Sequence, residues 1–206
     1  MKESLYFPRI LPRKIIAKCF LFILLTTTAS LSKPVWAVTI RGVEFEEKIK
    51  IEGKELALHG VGLLKWKYLL KVYQVALYKP KQVPVTQILE KDAPKRLEYY
   101  FFIDMKASDF QDTGFELMAR NVGREKAESL STELKELNRL YRDVNEGQRY
   151  TLTYLPGMGL EMALDGKVLG RVDGDEFAVS YLSIWLGPDP VSEDLKEGMF
   201  NPETVR

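Results

Sequence analysis

The 206-residue chain contains one cysteine and one histidine. Disulfide frameworks and thiolate zinc sites need more thiols than Cys19 alone supplies. His59 has no second histidine with which to share a metal. With no orienting partner legible beside it, it reads as a half-buried strand residue, not a general base. Neither a metal nor a cofactor is expected. The chain also lacks a charge excess, with 30 Lys and Arg against 29 Asp and Glu, so it has no electrostatic footprint for nucleic acid. Its glycine pairs, Gly60-Val61-Gly62 and Gly157-Met158-Gly159, read as turns. Neither opens a helix in a βαβ unit, as a phosphate loop must. No repeat or low-complexity linker interrupts the chain, which points to one domain.

A membrane-spanning apolar run is missing as well. The longest candidate, Cys19 to Leu31, is 13 residues with three threonines, short of the ~20 that cross a bilayer. It follows a basic stretch and precedes Val35-Trp36-Ala37, the order of a secretory signal peptide. The expectation is a signal peptide over residues 1–37, cleavage near Ala37, and a periplasmic or secreted domain over 38–206. The leader carries six of the basic residues and one acidic one, leaving 24 against 28 and a charge of −4. Without cysteine, that domain must hold itself together by packing.

Alternation of Val43, Phe45, Ile49, Ile51, Leu56 and Leu58 predicts a hairpin-like strand pair turning at Glu52-Gly53-Lys54. Gly60 to Pro80 reads as one long strand, ended by Pro80 and Pro84. Arg96 to Met105 reads as a central strand. Ser108 or Asp109 can cap a helix over 110–121 that turns Phe110, Gly114, Leu117 and Met118 to one side. A second helix over 128–141 carries a core stripe of Leu130, Leu134, Leu137 and Tyr141. Strands follow over 148–156 and 160–172, the latter split by the hairpin signal Asp165-Gly166. A helix over 175–186 points Phe177, Tyr181, Ile184 and Trp185 inward and stops at Gly187-Pro188, with Asp173 and Asp175 as helix-start residues. Ser192 caps a last short helix. Strands, helices, hairpin and helices in that order predict an α+β fold, an antiparallel sheet with helices on one face.

Within Gly60 to Pro80, Lys65, Lys67 and Lys71 alternate with Trp66, Tyr68, Leu70 and Val72. The plain reading is a strand with one wet face. Leu69, Val75 and Leu77 share the lysine parity, however, so that face becomes apolar towards its end. A polar group beside an apolar run is how a ligand pocket is built. Tyr78 and Tyr100 read as core tyrosines with a bonded hydroxyl.

Three stretches, Leu58 to Tyr78, Phe101 to Asn121 and Leu152 to Lys196, together resemble the chalcone isomerase-like family. The order of the Gly-x-Gly strand with its "VYQVALY", the strand-to-helix step and the "FAVSYLSIWLG" helix is the specific feature, over about residues 40 to 200. The chain is most similar to the exported bacterial branch. The resemblance implies an open-faced β-sandwich, a curved antiparallel sheet with helices covering one face and a ligand cleft between. In the plant isomerases an arginine holds a phenolate while a threonine and a tyrosine polarise a ketone; the matching positions fall at Lys65, Tyr73 and Phe110. Lysine lacks the planar fork of arginine and phenylalanine polarises nothing, so ring closure is not expected, and fold alone does not carry it over.

The fatty-acid-binding branch implies simpler needs: a cation and a tyrosine for a carboxylate, and an apolar tunnel for the tail. The expected ligand-binding residues are Lys65 and Tyr73 at the head, with Phe110, Leu117 and Trp185 along the tail. In a straight strand Lys65 and Tyr73 lie about 26 Å apart, so a shared head site requires a bend or bulge between Trp66 and Leu70. The leading expectation is an exported, non-catalytic binder of a fatty acid or similar apolar carboxylate. The alternatives are an intramolecular lyase or isomerase of the chalcone isomerase type, and an envelope interaction module without a small ligand.

Overall fold

Alternation of apolar and polar residues builds most of the sheet directly. A computed structural model describes residues 36–67 and 69–205. The expected signal peptide lies, except for its last two residues, outside the described residues. Nine strands are present among them: β1 (Ala37–Ile40), β2 (Val43–Glu46), β3 (Lys48–Ile51), β4 (Lys54–Trp66), β5 (Leu70–Lys79), β6 (Lys95–Phe101), β7 (Arg149–Leu155), β8 (Gly159–Leu164) and β9 (Lys167–Val172). The helices are α1 (Ala107–Val122), α2 (Arg124–Ser129), α3 (Ser131–Asn138), α4 (Asp175–Leu186) and α5 (Glu193–Phe200). Strands β3 to β9 form one antiparallel sheet in sequence order, with β6 at its centre. Strands β1 and β2 form a separate two-stranded ribbon.

The expected α+β fold, a curled antiparallel sheet with helices against one face, is what the chain adopts. Tyr73, Val75 and Leu77 of β5, Leu97, Tyr99 and Phe101 of β6, and Tyr150, Leu152 and Tyr154 of β7 pack against Met118 of α1, Leu134 and Leu137 of α3, and Phe177, Tyr181 and Trp185 of α4. The alternate positions Ala76 and Tyr78 face the other way, into a smaller cluster with Ile40, Val43 and Phe45 of the β1–β2 ribbon. Period-two alternation thus sorts one sheet into two cores.

Several local readings are met. Glu52-Gly53 and Asp165-Gly166 turn with positive φ at both residues, the requirement of a tight hairpin. Leu130, Leu134, Leu137 and Tyr141 are all buried. The Ser192 hydroxyl accepts from the Leu195 backbone N–H at 3.3 Å.

Others are corrected. The predicted strand pair at the start is two hairpins, because Arg41 and Gly42 also take positive φ and turn β1 into β2. Helix α1 begins at Ala107, where the backbone N–H groups of Lys106 and Ala107 donate to Asp109 and Asp143 at 2.8 and 3.0 Å. The helix predicted over 128–141 is two short ones, interrupted at Leu130. Gly60 and Gly62 are not a turn but lie within β4, where α5 crosses on the strand backbone. A Cβ on Gly62 would stand 1.9 Å from the Leu195 carbonyl oxygen. The Tyr78 hydroxyl is buried with no hydrogen-bond partner among the described residues.

The largest correction concerns Gly60 to Pro80. It is two antiparallel strands, not one: β4 ends at Trp66, the Leu69 N–H donates to the Trp66 carbonyl at 3.2 Å, and β5 returns from Leu70. Lys67 takes φ +47° to make the reversal.

Candidate functional site

Beyond that reversal, Leu64 pairs with Tyr73, whereas Lys65 pairs with Lys71. Val72 is left as the extra residue of a β-bulge in β5, so Lys71, two residues from Tyr73, faces away from it, while β4 alternates normally from Leu64 to Lys65. Leu64 and Tyr73 therefore face the helices, and Lys65 and Lys71 face the opposite way. The Lys71 ammonium lies 5.4 Å from the Phe102 ring, part of the smaller core. Lys65 is exposed.

Between the sheet and the helices lies a cavity of about 160 Å³. From the sheet it is lined by Leu64 and Tyr73, from α1 by Asp109, Phe110, Thr113 and Leu117, and from α4 by Tyr181, Ile184 and Trp185. Met105, Gly114, Tyr141 and Val191 complete it. A narrower space of about 30 Å³ continues inward past Tyr99, Phe101 and Tyr150. Asp109 and Thr113 are exposed, so the α1 rim opens to water.

Of the five residues expected to meet a ligand, Tyr73, Phe110, Leu117 and Trp185 share this cavity. Lys65 is not among its lining residues. The reversal brings it close to Tyr73 along the sheet, but it follows Leu64 on β4, and strand alternation turns its side chain to the other face. Ile184 lines the cavity, whereas Met118 is fully buried in the core beside it. Asp109 is the charged residue among the described lining. Among the described residues no cluster of His, Cys, Asp or Glu could hold a metal. His59 is half-buried in β4, its ring nitrogen 3.2 Å from the Phe200 carbonyl. Burial holds its pKa below the ordinary histidine value.

Aromatic rings give the cavity its shape. Phe110 stacks on Tyr141 at 4.9 Å, and Tyr73 meets Tyr99 and Phe101 edge to face at 5.6 and 5.7 Å. The polar tips are mostly paired with one another. The Trp185 indole N–H donates to the Tyr73 hydroxyl at 3.3 Å, and the Tyr141 and Tyr181 hydroxyls share a 2.6 Å hydrogen bond. The Tyr99 hydroxyl is buried with no hydrogen-bond partner among the described residues. Burial pushes the Tyr73 phenol up to about 12, and those of Tyr99 and Tyr141 well above the usual tyrosine value. All three stay neutral at physiological pH. Apart from Asp109 at the rim, the surface offered to a ligand is apolar rings and aliphatic groups with a few uncharged hydroxyls.

Tyr99, Tyr141, Tyr181 and Leu64 are site residues that the sequence reading did not single out. Tyr141 and Tyr181 were legible as inward-facing core residues, and a hydroxyl on an otherwise apolar stripe is the signal that could have marked them.

The chalcone isomerase-like family model matches residues 37–201. Among solved structures, the chain is similar to a fatty-acid-binding protein of Arabidopsis thaliana. The likeness covers 82% of this chain and 98% of that one, with a TM-score of 0.63 and 17% sequence identity. At that identity the likeness concerns the fold. No curated protein matches the chain in sequence.

Proposed function

Because the chain belongs to the chalcone isomerase-like family, we propose that it is a non-catalytic binding protein for an apolar chain ending in a carboxylate, most simply a fatty acid. The observation that carries this reading is the aromatic and aliphatic cavity between the sheet and helices α1 and α4, open to water at Asp109 and Thr113. The tail lies along Tyr73, Phe110, Leu117, Ile184 and Trp185, and the head stays at the wet rim. An ionised carboxylate driven deeper would lose hydration with no cation among the described lining to replace it. Tail burial dominates, at about 0.8 kcal/mol per CH₂. Lys65 acts on the head only through solvent, where a charge pair contributes about 0 to 1 kcal/mol.

The similar plant structure is itself called a fatty-acid-binding protein, which supports the reading without deciding the ligand. The lining argues against ring closure, since Lys65 is turned away and Phe110 has no hydroxyl. An interaction module with no small ligand would be expected to fill this cleft with side chains, and the space at Leu117 is open. The reading includes export through residues 1–37, and N-terminal sequencing of the recovered protein tests that part: a start at Met1 contradicts it.

Native mass spectrometry of protein purified without detergent tests the binding. Expected are adducts with fatty-acid masses, or uptake of one decanoate per chain on addition. Protein that carries nothing and takes up nothing contradicts the proposal.

A further inference from the structure

The β4–β5 reversal exposes three large apolar residues at one tip: Trp66 is 57% exposed, Leu69 91% and Leu70 45%. Lys65, Lys67 and Lys71 surround them, all exposed, and the Lys67 ammonium lies 4.2 Å from the Trp66 ring. No acidic residue occurs between Gly60 and Leu89. A strand pair gains nothing in water from leaving a tryptophan and two leucines at its end.

We propose that this hairpin tip docks on an anionic lipid surface. Leu69 and Leu70 enter the acyl boundary, Trp66 lies at headgroup level, where its amphipathic ring is most stable, and the lysines meet lipid phosphates. Lysine stems suit that position, covering apolar surface while keeping the charge in the polar layer. The tip is too small for a stable protein interface, which needs about 800 Å² from each partner. A bilayer asks only for a few inserted side chains beside a cluster of positive charge. The tip lies near the cavity, because Leu64, two residues before Trp66 on β4, is part of the cavity wall. Docking here sets the cavity beside the membrane surface, but it does not depend on what the cavity holds.

The test uses the full chain with Cys19→Ser and Leu69→Cys, labelled at position 69 with an environment-sensitive fluorophore. It is mixed with phosphatidylcholine vesicles with or without phosphatidylglycerol at about one lipid in four. The label reports the tip alone, so adhesion through the apolar N-terminal residues does not imitate the result. Expected are a blue shift and quenching by nitroxide lipids on the anionic vesicles only, reversed at high salt. Each lysine near such a surface is worth about fivefold in affinity. The combined Lys65→Glu, Lys67→Glu and Lys71→Glu variant, with unchanged circular dichroism, is expected to bind at least about 30-fold more weakly. A label that stays in water on anionic vesicles overturns the proposal. Insertion indifferent to salt and to charge reversal overturns it as well.

Discussion

The Trp185 indole reaches from α4 to the Tyr73 hydroxyl on β5, 3.3 Å away, and joins helix and sheet inside the cavity wall. The bond gives a buried phenol an uncharged partner where water is scarce. Trp185→Phe keeps a ring but removes the donor, leaving the Tyr73 hydroxyl without it. An unsatisfied buried hydroxyl costs about 1–3 kcal/mol. Trp185→Phe is therefore expected to lower stability in urea unfolding by that amount, and Tyr73→Phe in the same background to recover part of it.

Tyr99 presents the opposite case, since its buried hydroxyl has no partner among the described residues to lose. Tyr99→Phe keeps the ring contacts with Tyr73 and Trp185 and removes an unpaired polar atom. Unfolding of the unliganded protein is expected to show stability unchanged or raised by up to about 1 kcal/mol. A clear loss would mean that the hydroxyl has a partner in solution.

Lys95 is fully buried in β6, its ammonium donating to the Glu90 carbonyl at 3.1 Å and lying 4.7 Å from the Tyr154 ring. Burial pulls its pKa down to about 7, against the partial opposition of Asp92 and Glu90. Between that value and the ordinary 10.5 the unfolded chain binds the extra proton. Stability should therefore rise with pH across this window, by up to about 1.4 kcal/mol per unit. Urea midpoints from pH 7 to 10 check this, and Lys95→Met is expected to flatten the rise.

Gly62 marks where α5 rests on β4. With a Cβ 1.9 Å from the Leu195 carbonyl oxygen, Gly62→Ala must push the helix off the strand. The expected loss is about 2–3 kcal/mol, measured by denaturant unfolding. Gly53→Ala has open space around it and is expected to feel only the cost of its positive φ.

What the sequence makes legible follows from what is local. Asp165-Gly166 prescribes its turn through backbone freedom, and the Leu130–Tyr141 stripe prescribes burial through period alone. The reversal after Trp66 was hidden because Lys67, not a glycine or asparagine, takes the left-handed conformation there. The alternation of lysines with apolar residues on both sides of it then reads as a single strand. The bulge at Val72 is a property of the pairing between two strands, and one strand's sequence does not carry it. Tyr73, Phe110, Leu117 and Trp185 could be grouped because each faces inward on its own element. Lys65 was grouped with them by parity counted through a turn and a bulge. Gly60 and Gly62 were visible as special, but only the position of α5 explains them.

The central claim is that the cavity along Tyr73, Phe110, Leu117 and Trp185 takes the tail of an apolar carboxylate. At about 160 Å³ it is close in size to an engineered apolar cavity of ~150 Å³ that holds one benzene. It should therefore accept about six to eight carbons before its walls must move. Calorimetric titration with saturated fatty acids of increasing length tests this most directly. Affinity is expected to rise about fourfold per CH₂ until the cavity is full, then level off. Leu117→Trp is expected to abolish the rise, and Lys65→Ala to leave it nearly intact. Affinity independent of chain length, or a rise that Leu117→Trp does not disturb, would contradict the account.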